Sequence, residues 1–347
     1  MADSKQPAPV INTEQIITDI LNTIERERER EIISRRFGLF DRRETLEQIG
    51  ELLGITRERV RQLEKVVINK LRASGESLPH IPEIQATFTQ QLHKMGEAAR
   101  IIDLTSKLIK SSNRLDQSRI AFLAALCPLL TTIEENDLLY LATSVTSVHN
   151  EKQLKTDVIK VVDTIKKIGE PSTIEVVAEQ ASIANPKQAE ALASISKQLA
   201  TLNGRWGLVK WPMVNPKNIR DKIYVVLKEN GKQMHFSEIA EAIKKSDFKR
   251  KAVTTQAIHN ELIKDSRFVL IGRGIYALNE WGYKKGTVAD IITEVIKEAG
   301  EPLHRDEIVK RVLKSRIVKE TTVLLNLQGK SKFKRVAKAT YDIADAE

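Results

Sequence analysis

One segment of this sequence carries four neighbouring side chains of the types that read base edges in duplex DNA. They are Arg57, Glu58, Arg61 and Gln62. Arginine donates two hydrogen bonds to guanine, glutamine pairs with adenine, and glutamate accepts a hydrogen bond from cytosine N4. The cationic residues that follow, which are suited to holding phosphates, are Lys65, Lys70 and Arg72. The segment therefore predicts a surface that binds DNA in the major groove.

The surrounding residues, Thr45 to Arg72, have the order of signals that a helix-turn-helix needs. Thr45 and Gln48 have capping-box spacing and start one helix, and Thr56 caps the next. Gly54, between the two helices, supplies the positive φ of the turn. The pattern predicts two short helices joined by a tight turn, with the polar residues on the second.

The two helices must also pack closely against each other. Gly50 has no Cβ at the point where they cross. We expect Val60 and Leu63 on the second helix to face back onto Ile49 and Leu52 on the first. The four base-reading candidates then lie on the opposite side of the second helix, paired at i,i+4 spacing.

An alternative interpretation is that this polar face is only a solvated surface, which is the usual role of a face rich in arginine and glutamate. The glycine spacing and the helix caps favour DNA binding over that interpretation. The preceding alternating run, Glu25 to Glu31, lacks such signals. We interpret it as a solvated helix with i,i+3 pairs such as Glu25 with Arg28.

The segment from Ile24 to Arg72, with RFGL before the first helix and TRERVRQLE at the second, resembles region 4 of the bacterial sigma-70 family. We assign residues 13–73 to this domain. The resemblance implies binding to the minus-35 promoter element and to the flap of RNA polymerase. The base-reading positions that it implies are Arg57, Glu58, Arg61 and Gln62. The phosphate-contacting positions that it implies are Thr56, Arg59 and Lys65.

The resemblance leaves two points for the structure to decide. The apolar residues Ile32, Ile33 and Phe37 fall where the family shapes its polymerase-binding surface, although core packing accounts for them equally well. Complete sigma factors also carry an aromatic-rich region 2 that melts promoters. The aromatic residues of the segment 83–155 are Phe88, Phe122 and Tyr140. They are too sparse for a stacking surface, so we expect packed helices there and no promoter melting.

The C-terminal half contains a repeat. Three glycines mark its copies in register, namely Gly169, Gly231 and Gly300. An apolar residue falls eight positions after each glycine, at Val177, Ile239 and Ile308. Each copy indicates a helix, a glycine-terminated turn and a second helix, and the second copy adds a third helix and a hairpin around Arg273. The pattern predicts tandem winged helices, which we assign to residues 156–214, 217–283 and 286–345. The second and third copies resemble the HARE-HTH domain, which is found in the delta subunit of bacterial RNA polymerase.

Positive charge concentrates in the last copy. Between Arg305 and Lys338 there are eleven basic residues and three acidic ones. The predicted phosphate contacts in the winged helices are Arg273, Lys332, Lys334 and Arg335. A solubilising tail is the alternative interpretation of the basic cluster, and we rank it below DNA binding because the basic residues alternate with core positions of a strand.

Composition narrows the classes of function. The 347 residues include 56 Lys and Arg against 46 Asp and Glu, and the net charge of +10 fits a polyanionic partner. The longest apolar run, Ile120 to Leu130, is too short to span a membrane, so we expect no membrane association. A single cysteine and scattered histidines predict no disulfide and no metal site. Because no catalytic or phosphate-loop motif is present, we expect no enzyme activity, no cofactor and no small-molecule substrate.

Together these features predict a mainly α protein. We expect a flexible tail over residues 1–12, the helix-turn-helix domain, a helical middle segment over residues 83–155, and the tandem winged helices with small β-hairpin wings. The predicted function is a sequence-specific, sigma-factor-like transcription factor that binds promoter DNA and RNA polymerase in the bacterial cytoplasm, at the nucleoid. The alternative is an accessory protein that binds RNA polymerase, like the delta subunit, and contacts DNA only secondarily.

Overall fold

The computed structural model describes residues 12–109, 113–248, 252–329 and 332–344. The chain divides into two compact units, of which the first ends at Val209 and the second begins at Lys210. The fold is mainly α with small antiparallel sheets, as predicted. Within the described ranges, no helix is both long enough and apolar enough to cross a membrane. The tail predicted for residues 1–12 lies outside these ranges except for Asn12.

The first unit begins with the helix-turn-helix domain. Its helices are α1 (Thr13–Asn22), α2 (Glu27–Phe37), α3 (Leu46–Leu53) and α4 (Arg57–Ser74). Helix α2 ends at Gly38, whose φ of 63° lies in the left-handed region that favours glycine. The predicted pair of helices between Thr45 and Arg72 is confirmed in α3 and α4.

The middle segment forms a winged helix, which we call winged helix A. Its elements are α5 (Ile81–Met95), β1 (Ala98–Arg100), α6 (Ile101–Leu108), α7 (Arg114–Leu126), β2 (Leu130–Ile133) and β3 (Ala142–Val145). The expected helices are present, and the structure adds an antiparallel sheet of strand order β1-β3-β2. The strands have only three or four residues, and every residue of β3 is buried. They therefore lack the alternation of apolar and polar residues that marks a strand in a sequence.

Three more winged helices, B, C and D, follow along the chain. Winged helix B consists of α8 (Glu151–Ile168), β4 (Ser172–Thr173), α9 (Ile174–Gln180), α10 (Pro186–Ile195), β5 (Leu199–Leu202) and β6 (Arg205–Leu208). Winged helix C consists of α11 (Ile219–Asn230), β7 (Met234–His235), α12 (Phe236–Lys245), α13 (Thr255–Lys264), β8 (Phe268–Gly272) and β9 (Ile275–Leu278). Winged helix D consists of α14 (Val288–Ala299), β10 (Leu303–His304), α15 (Arg305–Ser315), α16 (Glu320–Leu327), β11 (Phe333–Ala337) and β12 (Thr340–Ile343). In each sheet the last strand lies between the other two, as in winged helix A.

The repeat is thus fourfold in the described chain, whereas the sequence pattern indicated three copies. The first helix of each winged helix ends at a glycine with positive φ. These glycines are Gly96, Gly169, Gly231 and Gly300, with φ values of 92°, 81°, 67° and 70°. Leu104, which is fully buried, falls eight positions after Gly96, as Val177 does after Gly169. The same spacing in the sequence therefore marks winged helix A as well.

The helix-turn-helix domain packs directly on winged helix A. One apolar core includes Ile17 and Ile20 of α1, Val67 of α4, and Phe88 and Phe122 of winged helix A. A buried arginine of α7, Arg119, spans the junction. Its Nε donates to the carbonyl oxygen of Leu39 at 2.8 Å, and its Nη2 contacts a carboxylate oxygen of Glu14 at 2.9 Å. The domain that carries α4 is therefore held against winged helix A by both apolar and polar contacts.

A buried histidine lies where winged helix A meets winged helix B. His149 is only 2% exposed, and its Nδ1 lies 2.9 Å from the Ser144 hydroxyl oxygen of β3. Its Nε2 lies 3.2 Å from the amide nitrogen of Gln188 and 3.6 Å from a carboxylate oxygen of Asp157, both in winged helix B. Burial lowers the pKa of His149, and the nearby carboxylates of Asp157 and Glu97 oppose that effect without reversing it.

The first unit is expected to lose stability as the pH falls below about 6.5, the ordinary pKa of histidine. Because the pKa of His149 is lowered in the folded state, the unfolded chain takes up the proton first. The stabilisation that comes from a neutral His149 is present above pH ~6.5 and disappears as the pH falls toward the folded-state pKa. Urea unfolding of the full chain across this range measures the slope. His149→Gln should flatten it.

In the second unit, winged helix D docks on the edge of the sheet in winged helix C. The backbone N–H of Ile317 donates to the carbonyl oxygen of Ile271 in β8 at 2.8 Å. The neighbouring Arg316 is 6% exposed and donates to the carbonyl oxygens of Leu270 and Gly286. A Cβ on Gly272 would lie 2.7 Å from the carbonyl oxygen of Ile317, so the two chain segments are in close contact. Winged helices C and D are therefore coupled through one backbone hydrogen bond from Ile317 and the side-chain hydrogen bonds of Arg316.

Candidate nucleic-acid interface

The turn between α3 and α4 has the geometry that the sequence predicts. Gln48 N–H donates to the Thr45 hydroxyl at 3.2 Å, and Thr45 N–H donates to the Gln48 side-chain oxygen at 2.9 Å, which completes a capping box. Gly54 ends α3 with a φ of 64°. The Thr56 hydroxyl accepts from Arg59 N–H at 3.2 Å and so caps α4. A Cβ on Gly50 would lie 2.7 Å from the carbonyl oxygen of Ile55, so only glycine fits there.

A small apolar cluster holds α3 and α4 in place. Its fully buried members are Ile32, Ile49 and Val60, and Leu63 packs against them. The prediction that Leu52 belongs to this contact is wrong, because Leu52 is 55% exposed and its neighbour Leu53 takes the place. The back of α4 is thus anchored to α2 and α3, and its front is free.

The four predicted base-reading side chains all lie on this free, exposed front of α4. Glu58 accepts hydrogen bonds from two of the others. Its carboxylate accepts from Arg61 Nε and Nη2 at 2.8 Å and 2.7 Å, and from the Gln62 amide at 3.3 Å. The hydrogen bonds from Arg61 hold the pKa of Glu58 below its ordinary value, so Glu58 is ionised at neutral pH. Arg57 makes no hydrogen bond or ion pair with any described residue.

The residues of α4 and its cap that are predicted to contact phosphates differ in their environment. Thr56 caps the helix with its hydroxyl, and Lys65 is exposed one turn beyond Arg61. Arg59 is exposed, and its guanidinium lies 3.4 Å from the side-chain oxygen of Gln62. The structure therefore brings the base-reading and phosphate-binding candidates together on one helix, and their contacts with DNA stay a prediction.

Polar contacts from α2 orient this surface. Arg28 donates to the carbonyl oxygen of Leu53 at 2.6 Å, at the carboxyl end of α3. The predicted pair of Glu25 with Arg28 is therefore wrong, and Arg26 with Glu29, at 3.3 Å, is the i,i+3 pair among the described residues of this run. Stabilisation of the last carbonyls of a helix by arginine is favourable electrostatically, which explains the choice of partner.

The apolar residues of α2 serve the core. Ile32 and Ile33 are both fully buried, the first against α3 and α4 and the second in the core shared with winged helix A. Phe37 is half-buried and meets the Phe122 ring edge-on, with 5.0 Å between the ring centroids. Of the two interpretations that the sequence allowed for these three residues, core packing is the one the structure supports.

The third helices of winged helices A and B are buried over much of their surface. In α7, Phe122, Leu123 and Ala124 are all fully buried, and in α10 the three consecutive residues 191–193 are buried as well. Three consecutive buried residues point in different directions around a helix, so these helices are covered on more than one side. A recognition helix needs an exposed face to enter the major groove. Most of the surface of α7 and α10 is therefore packed within the protein, and the exposed residues of α10 are Lys187 and Glu190.

The third helices of winged helices C and D are different. The buried residues of α13 are Ile258 and Leu262, and those of α16 are Val323 and Leu327. Each pair is four residues apart, which is one helix stripe, so the opposite face of each helix is open. This distinction between the two pairs of winged helices was not visible in the sequence, although the small alanines around α10 are compatible with close packing on several sides.

The basic residues predicted in the wings have different environments. Arg273 is exposed at the turn between β8 and β9, and Lys334 and Arg335 are exposed on β11. Lys332 pairs with Asp290 at 3.0 Å, and Arg335 Nε donates to the carbonyl oxygen of Ala337 at 3.1 Å. Hydrogen bonds from Thr287, together with this lysine, hold the pKa of Asp290 well below its ordinary value. Lys332 is therefore engaged within winged helix D. Lys330, which also belongs to the predicted basic cluster, lies outside the described residues.

The fold and the exposed face of α4 define a DNA-binding protein of the helix-turn-helix class. Comparison with known proteins identifies two families that parts of the chain resemble. Residues 26–73 match the family described as Sigma-70, region 4, and residues 219–281 match HARE-HTH, a helix-turn-helix domain named after ASXL and restriction endonuclease proteins among others. The resemblance to region 4 is thereby confirmed, and so is the resemblance of the second repeat copy to HARE-HTH, whereas that of the third copy stays a prediction. Both matched families place the chain among DNA-binding proteins related to transcription.

One curated relative is similar to a part of this chain. The chain is 45% identical over 62 residues to the RNA polymerase sigma factor SigA of Bacillus sp. The aligned part is 18% of this chain and 16% of the sigma factor. The chain thus spans about a sixth of the length of this relative.

Proposed function

We propose that this chain is a sequence-specific transcription factor that recognises a minus-35-type promoter element through α4 and acts with RNA polymerase at transcription initiation. The observation that carries the proposal is the exposed front of α4, which holds Arg57, Glu58, Arg61 and Gln62 on a segment that matches Sigma-70, region 4. Side chains of these types hydrogen-bond to base edges in the major groove. The proposed protein lacks enzyme activity and promoter melting, and it works in the bacterial cytoplasm at the nucleoid.

The winged helices take separate roles in this proposal. Winged helices A and B are a packed base for the helix-turn-helix domain, because α7 and α10 are covered. Winged helices C and D keep exposed third helices and the basic wing residues Arg273, Lys334 and Arg335. Such residues bind phosphates without reading sequence, and they increase the affinity for any duplex.

Selection from a pool of random duplexes with the full chain tests the proposal. We expect enrichment of a common motif that binds about 10³-fold or more tightly than scrambled duplexes at physiological salt. The full chain is needed because Ile33, Val67, Ile68 and Leu71 of the helix-turn-helix domain are buried in the core shared with winged helix A. Failure to enrich any motif, with the protein folded and binding duplex DNA nonspecifically, would falsify sequence-specific recognition.

The second candidate function is an accessory protein of RNA polymerase that contacts DNA only secondarily. The match of residues 219–281 to the HARE-HTH family favours it, since winged helix C has an exposed third helix and a wing that suit protein contacts as well as DNA contacts. Co-purification with core polymerase discriminates between the two functions. Association that survives nuclease treatment and high salt, together with no enriched DNA motif, supports the accessory role.

A further inference from the structure

A cavity in the first unit lies between the helix-turn-helix domain and winged helix A. Its volume is about 500 Å³, which is in the range of small-molecule sites. The loop between α2 and α3 forms one wall, and residues of α6, α7 and the segment before β3 form the other. The arginines that line it are Arg42, Arg43, Arg100 and Arg114. None of the four base-reading candidates of α4 contributes to this cavity.

Two of the four arginines are held in place by the protein. Arg100 donates to Asp103 at 2.6 Å and 2.9 Å, and its guanidinium lies 5.2 Å from the centroid of the Tyr140 ring. Arg43 Nε donates to the carbonyl oxygen of Arg36 at 3.1 Å. The other two, Arg42 and Arg114, are exposed and make no hydrogen bond or ion pair with the described residues. Their five-donor guanidinium groups are available to an anion, and their planar fork matches phosphate and carboxylate oxygens.

The carboxylates in the cavity wall do not cancel this charge. Glu135 pairs with Lys197 at 2.6 Å, and Lys197 does not line the cavity. Asp41 is the other carboxylate of the lining. Arg100 is likewise paired with Asp103, and Arg43 lies 3.9 Å from Glu134. The lining charges without an ion pair among the described residues are therefore Arg42 and Arg114 against Asp41, and this positive balance favours an anionic ligand.

The rest of the lining is largely apolar. Ile101, Ile102, Leu115 and Leu141 contribute to it, and the Ile102 side chain is 49% exposed. A bare inorganic anion cannot bury such a surface, whereas a ligand with an apolar part buries it favourably. The cavity therefore suits a molecule that combines an anionic group with an apolar part.

We propose that this cavity binds a nucleoside phosphate. The phosphate lies between Arg42 and Arg114, and the base lies against Ile102 and Leu115. The ligand bridges the loop that leads into α3 and winged helix A, so it fixes the helix-turn-helix domain further on its base. This inference goes beyond the function proposed above and does not depend on it, because nucleotide binding is measured in the absence of DNA.

Isothermal titration of the full chain with ATP, AMP, GTP and inorganic tripolyphosphate tests the proposal. We expect the nucleotides to bind and tripolyphosphate to bind more weakly than ATP, because it lacks the base. Arg42→Ala with Arg114→Ala should weaken ATP binding about tenfold or more, as expected for lost charged hydrogen bonds. Ile102→Glu, which puts a carboxylate at an exposed position of the wall, should also weaken it.

Two matched variants control for charge and folding. Arg205→Ala removes an exposed arginine of winged helix B, and Leu138→Glu changes an apolar residue that is 51% exposed and outside the lining. Both should bind ATP as the unmodified chain does.

Absence of nucleotide binding at millimolar concentration, or binding unaffected by the double arginine variant, overturns the proposal. Tripolyphosphate binding as tight as ATP binding overturns the assignment of a nucleotide. Loss of duplex DNA affinity in the double variant, without nucleotide binding, shows instead that these arginines contact the DNA backbone.

Discussion

Replacement of Gly96 by alanine is expected to lower the free energy of unfolding of the first unit by about 2 to 5 kcal/mol. A Cβ at this position would lie 2.2 Å from the carbonyl oxygen of Lys187 and 2.5 Å from its carbonyl carbon. These are backbone atoms at the start of α10, so they cannot move away as the end of a side chain would. The φ of +92° adds backbone strain for any residue with a Cβ. The substitution therefore forces winged helices A and B apart.

Gly169→Ala is the matched control for this prediction. Gly169 ends the first helix of winged helix B with a φ of +81°, and a Cβ there would meet nothing within 4 Å. It should cost only about 1 kcal/mol, the strain of the left-handed conformation. Urea unfolding followed by circular dichroism measures both variants. Equal losses would mean that α10 does not press on Gly96.

Substitution of Arg57 or Gln62 by alanine is expected to weaken binding to the selected DNA motif by about 1 to 3 kcal/mol each, or roughly 5- to 150-fold. Arg57 makes no hydrogen bond or ion pair with any described residue, so its removal breaks no such contact in the free protein. Gln62 has two long contacts, at 3.3 Å to Glu58 and 3.4 Å to Arg59, so its removal disturbs little in the free protein.

The two variants should differ on scrambled DNA. Gln62→Ala leaves the net charge unchanged and should keep the nonspecific affinity, whereas Arg57→Ala removes one positive charge and should reduce it slightly. Arg205→Ala, away from α4, controls for the loss of one charge. Fluorescence anisotropy with selected and scrambled duplexes at two salt concentrations measures all three. Equal losses on both duplexes would show that α4 binds the phosphate backbone and does not read bases.

The helix-turn-helix was predictable because its determinants are local. A capping box, a left-handed glycine and a glycine at the helix crossing each depend on residues within a few positions of one another, and all three occur in the structure. Which of Leu52 and Leu53 packs into the core depends on residues farther away in the chain. In an eight-residue helix both positions fit a helical period, and only the third helix that packs on the pair decides between them.

Tertiary packing also explains what the sequence left undecided at the candidate site. Ile33 and Phe37 form an apolar stripe that suits a partner protein and a core equally well, and the position of winged helix A assigns them to the core. The sequence also does not show that α10 is buried on more than one side whereas α13 is buried along one stripe. Burial of a second face depends on elements far away in the chain. The roles of Arg57, Glu58, Arg61 and Gln62 toward DNA rest on residue type and exposure, and they stay predictions.

During synthesis, the edge of β8 is exposed before winged helix D can dock on it. Translation completes winged helix C before Arg316 and Ile317 leave the ribosome. During that interval the outer edge of β8 has the unpaired N–H and C=O groups that let a strand of another chain add to a sheet. The hydrogen bond from Ile317 to Ile271 closes this edge once α15 has been synthesised. A chain that ends between winged helices C and D keeps the edge open and is therefore expected to aggregate more readily than the complete one.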